Sequence, residues 1–346
     1  MKYTKPTLSL TKLVDHLRKK GFIIKSDEES EDNVKSFLCN NGYYHTSSYM
    51  KCFYVPNLQT DKVQKENIAF INVIMLYLLD KQLQIVLLQS LLKIETFLKG
   101  FLLHNTSQKY KDPFWHTKQE YLTHQNYHNM IDIVERIQKD NQLSKISKDF
   151  FSKYDEEVYL PCWHLLEISS FGPFTKMFDF LKGEILLDFC TLLNVDCTEE
   201  GYDIDQFKGW LKGLCYFRNR IAHSEITWSI QRLPQIKLPS ISKKLNTVCS
   251  YIQLMYHIIT YIEGQDGADR FYLYCYDILL RIDKIPGITE KEKKRIGIWG
   301  NWKERFSNVR EKDLQRFRER ENEFTDKDFY QEAMDDLGIE EISCNS

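Results

Sequence analysis

The sequence is short of the residues that punctuate a chain. Only 14 glycines and 8 prolines stand among 346 residues, too few for a turn-rich β-sandwich or a proline-rich disordered chain. Net charge is nearly absent: 47 Lys and Arg against 49 Asp and Glu leave −2. A polyanionic partner must therefore meet a local basic patch rather than bulk charge. The nine cysteines form no CxxC pair and no zinc-type spacing with His; an odd count of this kind reads as small buried hydrophobes in a reducing compartment. The opening MKYTKPTLSLTK lacks the apolar core of a signal peptide. The longest apolar stretch, IAFINVIMLYLL, is interrupted by Asn72 and closed by Asp80 and Lys81, short of the roughly 18 consecutive apolar residues of a membrane span. These absences set the expectation of a cytoplasmic protein with no membrane partner, no metal and no cofactor.

What is present is apolar and aromatic. With 42% hydrophobic and 14% aromatic residues, the chain can bury a large core, and the scarcity of breakers makes that core helical. At this length one large domain with appendages, or two domains, is the natural division. The sequence divides into an N-terminal region at 1–57, a helical body at 58–285 and a charged helical extension at 286–346, an all-α chain with a small α(+β) start.

Apolar positions 10, 13, 14 and 17 in LSLTKLVDHLRKKG predict a first helix, with Ser9 as its cap and Gly21 as its stop. The β-branched and aromatic run GYYHTSSYMKCFYVP is read as a small hairpin or an irregular stretch. From about Asp61 to Leu103 apolar residues recur at three- and four-residue steps without a proline, predicting one long helix apolar around so much of its circumference that it lies between other elements. QEYLTHQNYHNMIDIVERIQKD predicts a second helix. Pro161 starts another, which Gly172-Pro173 should break or kink. FKGWLKGLCYFRNRIAHSEI is a further helix, and two more fill the span from Ser240 to Pro286-Gly287. Trp299, Trp302 and Phe306 are expected to dock the charged C-terminal extension.

One stretch, CYFRNRIAHSEITW, concentrates Arg218, Asn219, Arg220 and His223 within six positions of an otherwise apolar helix. On an ideal helix Asn219 and His223 share a face, while Arg218 diverges from His223 by roughly 140° and reaches around by its length. A guanidinium, an amide and an imidazole suit a phosphodiester: Arg binds its oxygens and His moves a proton near neutral pH. In RNA the 2′-hydroxyl supplies the nucleophile, so transesterification needs no metal. The plainer reading has both arginines solvating a helix face and His223 capping its end.

The motif WLKGLCYFRNRIAHSEITW resembles the R-x4-H motif of the HEPN superfamily, and specifically its Abi-like abortive-infection family, which includes AbiD and AbiF. KPTLSLTKLVDHLRKKGFII with NGYYHTSSYMKCF, LLKIETFLKGFLLHN and LPCWHLLEISSFGPFTKMF resemble further blocks of that family in the same order, over roughly residues 5 to 230. The resemblance implies a HEPN-type helical bundle and an endoribonuclease of phage defence, active as a homodimer and held in check by an antitoxin or a structured noncoding RNA. It implies that Arg218 contacts the scissile phosphate, Asn219 orients it or the His, and His223 transfers protons. Glu95 and Lys99, four apart on the long helix, either support the same cleft or form an ordinary helix-face ion pair. Glu167 is expected near Arg218 as a buried carboxylate fixing its rotamer, Arg220 as further cleft support, Trp163 as core and His164 as structural. For RNA, Arg18, Lys19, Lys20 and Lys25 offer phosphate contacts and Tyr43, Tyr44, Tyr49 and Phe53 offer stacking, unless those rings simply pack. KEKKRIGIWGNWKER is a second basic-aromatic patch of the same ambiguity. The alternative function is a HEPN scaffold that holds RNA without cutting it; a helical protein-interaction partner without nucleic acid is the other.

Overall fold

The structure, a computed structural model, describes residues 7–54, 68–123, 127–195, 197–198, 201–228, 233–238 and 244–306. It is all-α: among the described residues strands amount to three two-residue pairs. Helix α1 (Leu10–Lys19) is capped by Ser9, whose side chain accepts from the Lys12 amide. Strand β1 (Phe22–Ile23) follows, then α2 (Glu28–Asn41) and α3 (Tyr43–Met50), which a short 3-10 turn, Lys51–Phe53, extends. The hairpin expected from residue 42 onward is therefore a helix. Its aromatic residues serve packing against other helices rather than strand pairing, and Thr46 satisfies its hydroxyl on the Gly42 carbonyl one turn back.

Strand β2 (Ile68–Ala69) pairs with β1 in parallel and leads into α4 (Ile71–Tyr110), 40 residues long. The stretch 61–67, where the long helix was expected to begin, lies outside the described residues; its C-terminal end runs seven residues past Leu103 and stops at left-handed Lys111. Leu83, Leu87, Leu91, Ile94, Leu98 and Leu102 are wholly buried along one face. By length and hydropathy α4 would also pass for a membrane span, but more than half of its most apolar window is buried inside the fold.

After two 3-10 turns come α5 (Tyr127–Asp140), α6 (Lys145–Lys153), α7 (Cys162–Ile168), α8 (Phe171–Met177) and α9 (Gly183–Leu192). The second predicted helix thus begins later than expected, at Tyr127. The break near Gly172-Pro173 falls three residues earlier, at Ser169-Ser170, and puts Pro173 in the first turn of α8, where a missing N–H costs nothing. A β3–β4 pair (Cys197–Thr198, Gly201–Tyr202) precedes α10 (Ile204–Ala222), and a β5–β6 pair (Ile236–Lys237, Lys244–Leu245) precedes α11 (Val248–Lys284). The two final body helices are one element with a kink at Gly264, whose φ of 71° leaves the helical region. Chain α12 (Glu290–Ile296) closes the described part, and Trp302 docks there by donating from its indole to Asp283 at 3.2 Å. Residues 307–346, most of the charged extension, lie outside the described residues, as does the side chain of Phe306.

Helix α4 is the axis of the bundle, packed mainly by α11 and also by α10, α3, α7 and α9. Helix α10 starts at Asp203, whose side chain accepts from the Gln206 amide at 2.9 Å, and buries Phe207, Trp210, Leu211, Leu214, Phe217 and Ile221 at helical spacing. Gly213 sits where α10 passes closest to α11 and β5: a Cβ there would stand 2.8 Å from the Tyr251 hydroxyl and 2.9 Å from an Ile236 methyl.

Candidate functional site

The polar side chains of α10 emerge on the side its apolar stripe leaves uncovered. Arg218 points to α4, where one of its terminal nitrogens lies 3.3 Å from Glu95 Oε2 and the other donates to Asn219 Oδ1 at 3.1 Å. Glu95 is almost wholly buried, and its second oxygen pairs with Lys99 Nζ at 3.0 Å. Lys99 also donates to the Ser169 carbonyl at 2.6 Å, tying the C-terminal end of α7 to the same cluster. Asn219 donates to Cys215 Sγ at 3.8 Å, and burial pushes the Cys215 thiol pKa up. The structure therefore brings Arg218, Asn219, Glu95 and Lys99 together. The Glu95–Lys99 pair is the helix-face ion pair of the plainer expectation, and its carboxylate also meets the Arg218 guanidinium.

His223 closes α10 as its C-terminal cap, its amide donating to the Asn219 carbonyl. Its ring is exposed and makes no side-chain hydrogen bond among the described residues. The next residue, Ser224, takes a left-handed φ of 55°, turning the chain back under the helix. That turn is clamped to α4. Lys81 Nζ donates to the Ser224 carbonyl at 3.1 Å and Gln84 Nε2 to the Glu225 carbonyl at 2.8 Å. The Thr227 amide reaches Asp80 Oδ2 at 3.3 Å. Helices α4 and α10 thus run past each other in opposite directions, with Arg218 beside Glu95 and the His223 turn beside residues 80–84.

Asp80 is wholly buried. The same Oδ2 also accepts the Tyr49 hydroxyl and Gln84 Nε2, both at 2.8 Å. Burial pushes its pKa up to about 6 against these hydrogen bonds. Sequence reasoning passed over Asp80, Lys81 and Gln84. The signal that marks them is plain: charged and amide side chains inside a helix apolar on nearly every face must find partners.

Several expectations are corrected. Glu167 is exposed on α7 and makes no ion pair among the described residues; the buried carboxylate on Arg218 is Glu95. Trp163 is 46% exposed rather than core. His164 packs edge-on against Phe150. Arg220 is 4% exposed and does not face the cleft: two residues from Arg218 it points to another side of α10, lies over the Tyr216 ring and pairs with Glu225 at 3.4 Å.

The N-terminal basic-aromatic patch is largely consumed by the fold. Arg18 donates to the carbonyls of Ile24 and Lys25 and pairs with Glu31 at 2.7 Å, stapling α1 to α2. Lys20 lies over the Tyr54 ring, while Lys19 and Lys25 are exposed. Tyr49 and Phe53 are wholly buried and cannot stack on a base, and Tyr43 is half-buried against His16. Tyr44, 90% exposed, is the ring of these four that faces solvent. In the second patch, Lys294 sits over the exposed Trp299 ring.

The model of the family described as Abi-like protein matches residues 36–229. No curated protein and no solved structure matches the chain. The matched span runs from α2 through α4 to the turn that follows α10, so it takes in every residue of the Arg218 cluster and of the His223 turn. A match over more than half of the sequence settles the family, and the chain belongs to the Abi-like proteins.

Proposed function

We propose that this Abi-like protein is a HEPN-type endoribonuclease of the cytoplasm that cleaves RNA without a metal, acts as a homodimer and serves abortive infection. The family points to phage defence. The observation that carries the chemistry is the placement of Arg218, Asn219 and His223 at the end of α10, with Asn219 on the His223 flank and bonded to Arg218, Arg218 held by Glu95 and His223 exposed at the helix end.

In this reading RNA enters along that flank and its phosphate replaces Glu95 as the partner of Arg218. The guanidinium is then a bidentate clamp on the phosphate oxygens and stabilises the charge that builds during reaction. Asn219, bonded to Arg218, orients it. The 2′-oxygen attacks phosphorus, the P–O5′ bond breaks, and the products are a 2′,3′-cyclic phosphate and a 5′-hydroxyl. His223 takes the proton from the 2′-hydroxyl or gives one to the departing 5′-oxygen; a second chain supplies a second histidine for the other task. Lys99 keeps Glu95 in place while the phosphate occupies Arg218. A noncoding RNA or antitoxin restrains the activity in the cell, and exposed Tyr44, Lys19, Lys25 and Trp299 are the groups open to such a partner.

The test is incubation of purified wild type, Arg218→Ala and His223→Ala with labelled RNA and with DNA of the same sequence. Cleavage of RNA alone to cyclic-phosphate ends, lost in both folded variants, is the expected result. Wild-type protein that retains RNA without cutting it would instead identify a binding scaffold.

A further inference from the structure

The buried Asp80 cluster joins two regions that the proposed chemistry treats separately. On one side stands the turn that carries His223, whose backbone at Ser224, Glu225 and Thr227 is held by Lys81, Gln84 and Asp80. On the other stands α3, which sends the Tyr49 hydroxyl onto the same carboxylate oxygen. Around Tyr49 the contact is broad: its ring and His45 both meet Tyr77 edge-on, and Tyr77 donates to Asn41 at the end of α2. Lys81 lies over the other side of Tyr77. A carboxylate buried at this depth is costly unless its acceptors are used. Here one oxygen takes three donors, from α3, from α4 and from the turn after α10.

We propose that Asp80 is a positioning residue for His223, and that Tyr49 makes the N-terminal helices a working part of the same device. The inference rests on His223 being the proton-transfer group. Its mechanism is mechanical: the left-handed Ser224 turn holds the imidazole at the mouth of the site only while the Ser224 and Glu225 carbonyls and the Thr227 amide stay fixed to α4. Lifting α3 from α4 withdraws one of the three donors on Asp80 Oδ2, the only oxygen of this carboxylate with hydrogen-bond partners among the described residues, and loosens its grip on Thr227. A regulator that binds the N-terminal helices thereby changes the placement of His223 without touching the RNA cleft.

Tyr49→Phe removes one hydroxyl and keeps the ring packing; Asp80→Asn keeps an acceptor oxygen, and Asp80→Leu removes it. The full-length variants are compared for RNA cleavage and for the His223 ring signals in NMR, assigned by their loss in His223→Ala. Loss of one supporting hydrogen bond should lower kcat by about 3- to 10-fold with KM nearly unchanged. The His223 signals should shift in Tyr49→Phe and Asp80→Leu, and Asp80→Asn should restore both readouts. Unchanged His223 signals in folded Tyr49→Phe overturn the proposal, whatever the activity. Wild-type cleavage by His223→Ala overturns the assignment of His223 as the proton-transfer group instead, while the ring signals still decide whether Asp80 positions the residue. If Asp80→Leu fails to fold, Tyr49→Phe and Asp80→Asn carry the comparison alone.

Discussion

Helix α4 carries two buried carboxylates that live by different rules. Glu95 is met by cations, Lys99 and Arg218. Asp80 is met at its Oδ2 by a hydroxyl, an amide and a backbone N–H. Cations favour the charged form of a carboxyl directly, whereas neutral donors offset burial only in part, and Asp80 accordingly rises to about 6. Under the proposed function the first carboxylate belongs to a site that exchanges partners, since solvent reaches Arg218, and the second to a joint that keeps them. The same helix thus serves as counter-ion at one place and as scaffold at another.

The largest effect should come from emptying the exchangeable site. Arg218→Ala should cut RNA cleavage by about 10²- to 10⁴-fold while the fold survives, seen in product ends and circular dichroism. Next is the joint: Asp80→Leu strands the Tyr49 hydroxyl and the Thr227 amide and should cost about 3 kcal/mol in denaturant unfolding. Asp80→Asn should alter the pH profile of stability. The folded pKa lies above the unfolded value near 3.8, so the contribution of Asp80 is full below about 4 and is lost as pH rises through about 6. Wild type should gain about 2 kcal/mol on the Asn variant between pH 7 and pH 4, a difference that cancels the opposing effect of buried His116, whose pKa is lowered to about 4. A flat difference between pH 7 and pH 4 would mean that Asp80 stays charged in the core across that range. Glu95→Gln leaves both cations a neutral acceptor and, with Arg218 and Lys99 partly open to water, should cost about 1 kcal/mol in thermal unfolding. Smallest is Tyr44→Ala, which should change stability by less than about 0.5 kcal/mol; weaker retention of RNA in a filter assay would separate it from the buried Tyr49.

Periodicity made α4 and α10 legible, because a helix apolar at three- and four-residue steps has few alternatives. It failed at residues 43–50, where aromatic and β-branched content suggested a hairpin or an irregular stretch but His45 and Tyr49 pack on Tyr77 of helix α4; local propensity yielded to tertiary burial. The Arg218, Asn219 and His223 spacing could be read directly, and so could the Glu95–Lys99 pair. Burial could not. Tyr49 and Tyr44 are the same residue type five positions apart, one at the base of the Asp80 joint and one in solvent, and no local pattern distinguishes them. Whether Glu95 or Glu167 meets Arg218 is illegible for a similar reason: which of two carboxylates meets an arginine depends on how α7 and α4 are set, a long-range matter.

Gly213 has a consequence for selection. A methyl group there would press on the Tyr251 hydroxyl and on Ile236, so that α10 or one of these neighbours must shift. Because α10 also carries Arg218 and His223, a wedge one turn before the motif misaims it without altering a motif residue. Under the proposed activity, cells forced to escape the protein's toxicity should accumulate substitutions at Gly213 alongside those in the motif itself, and such escapees should still make full-length protein.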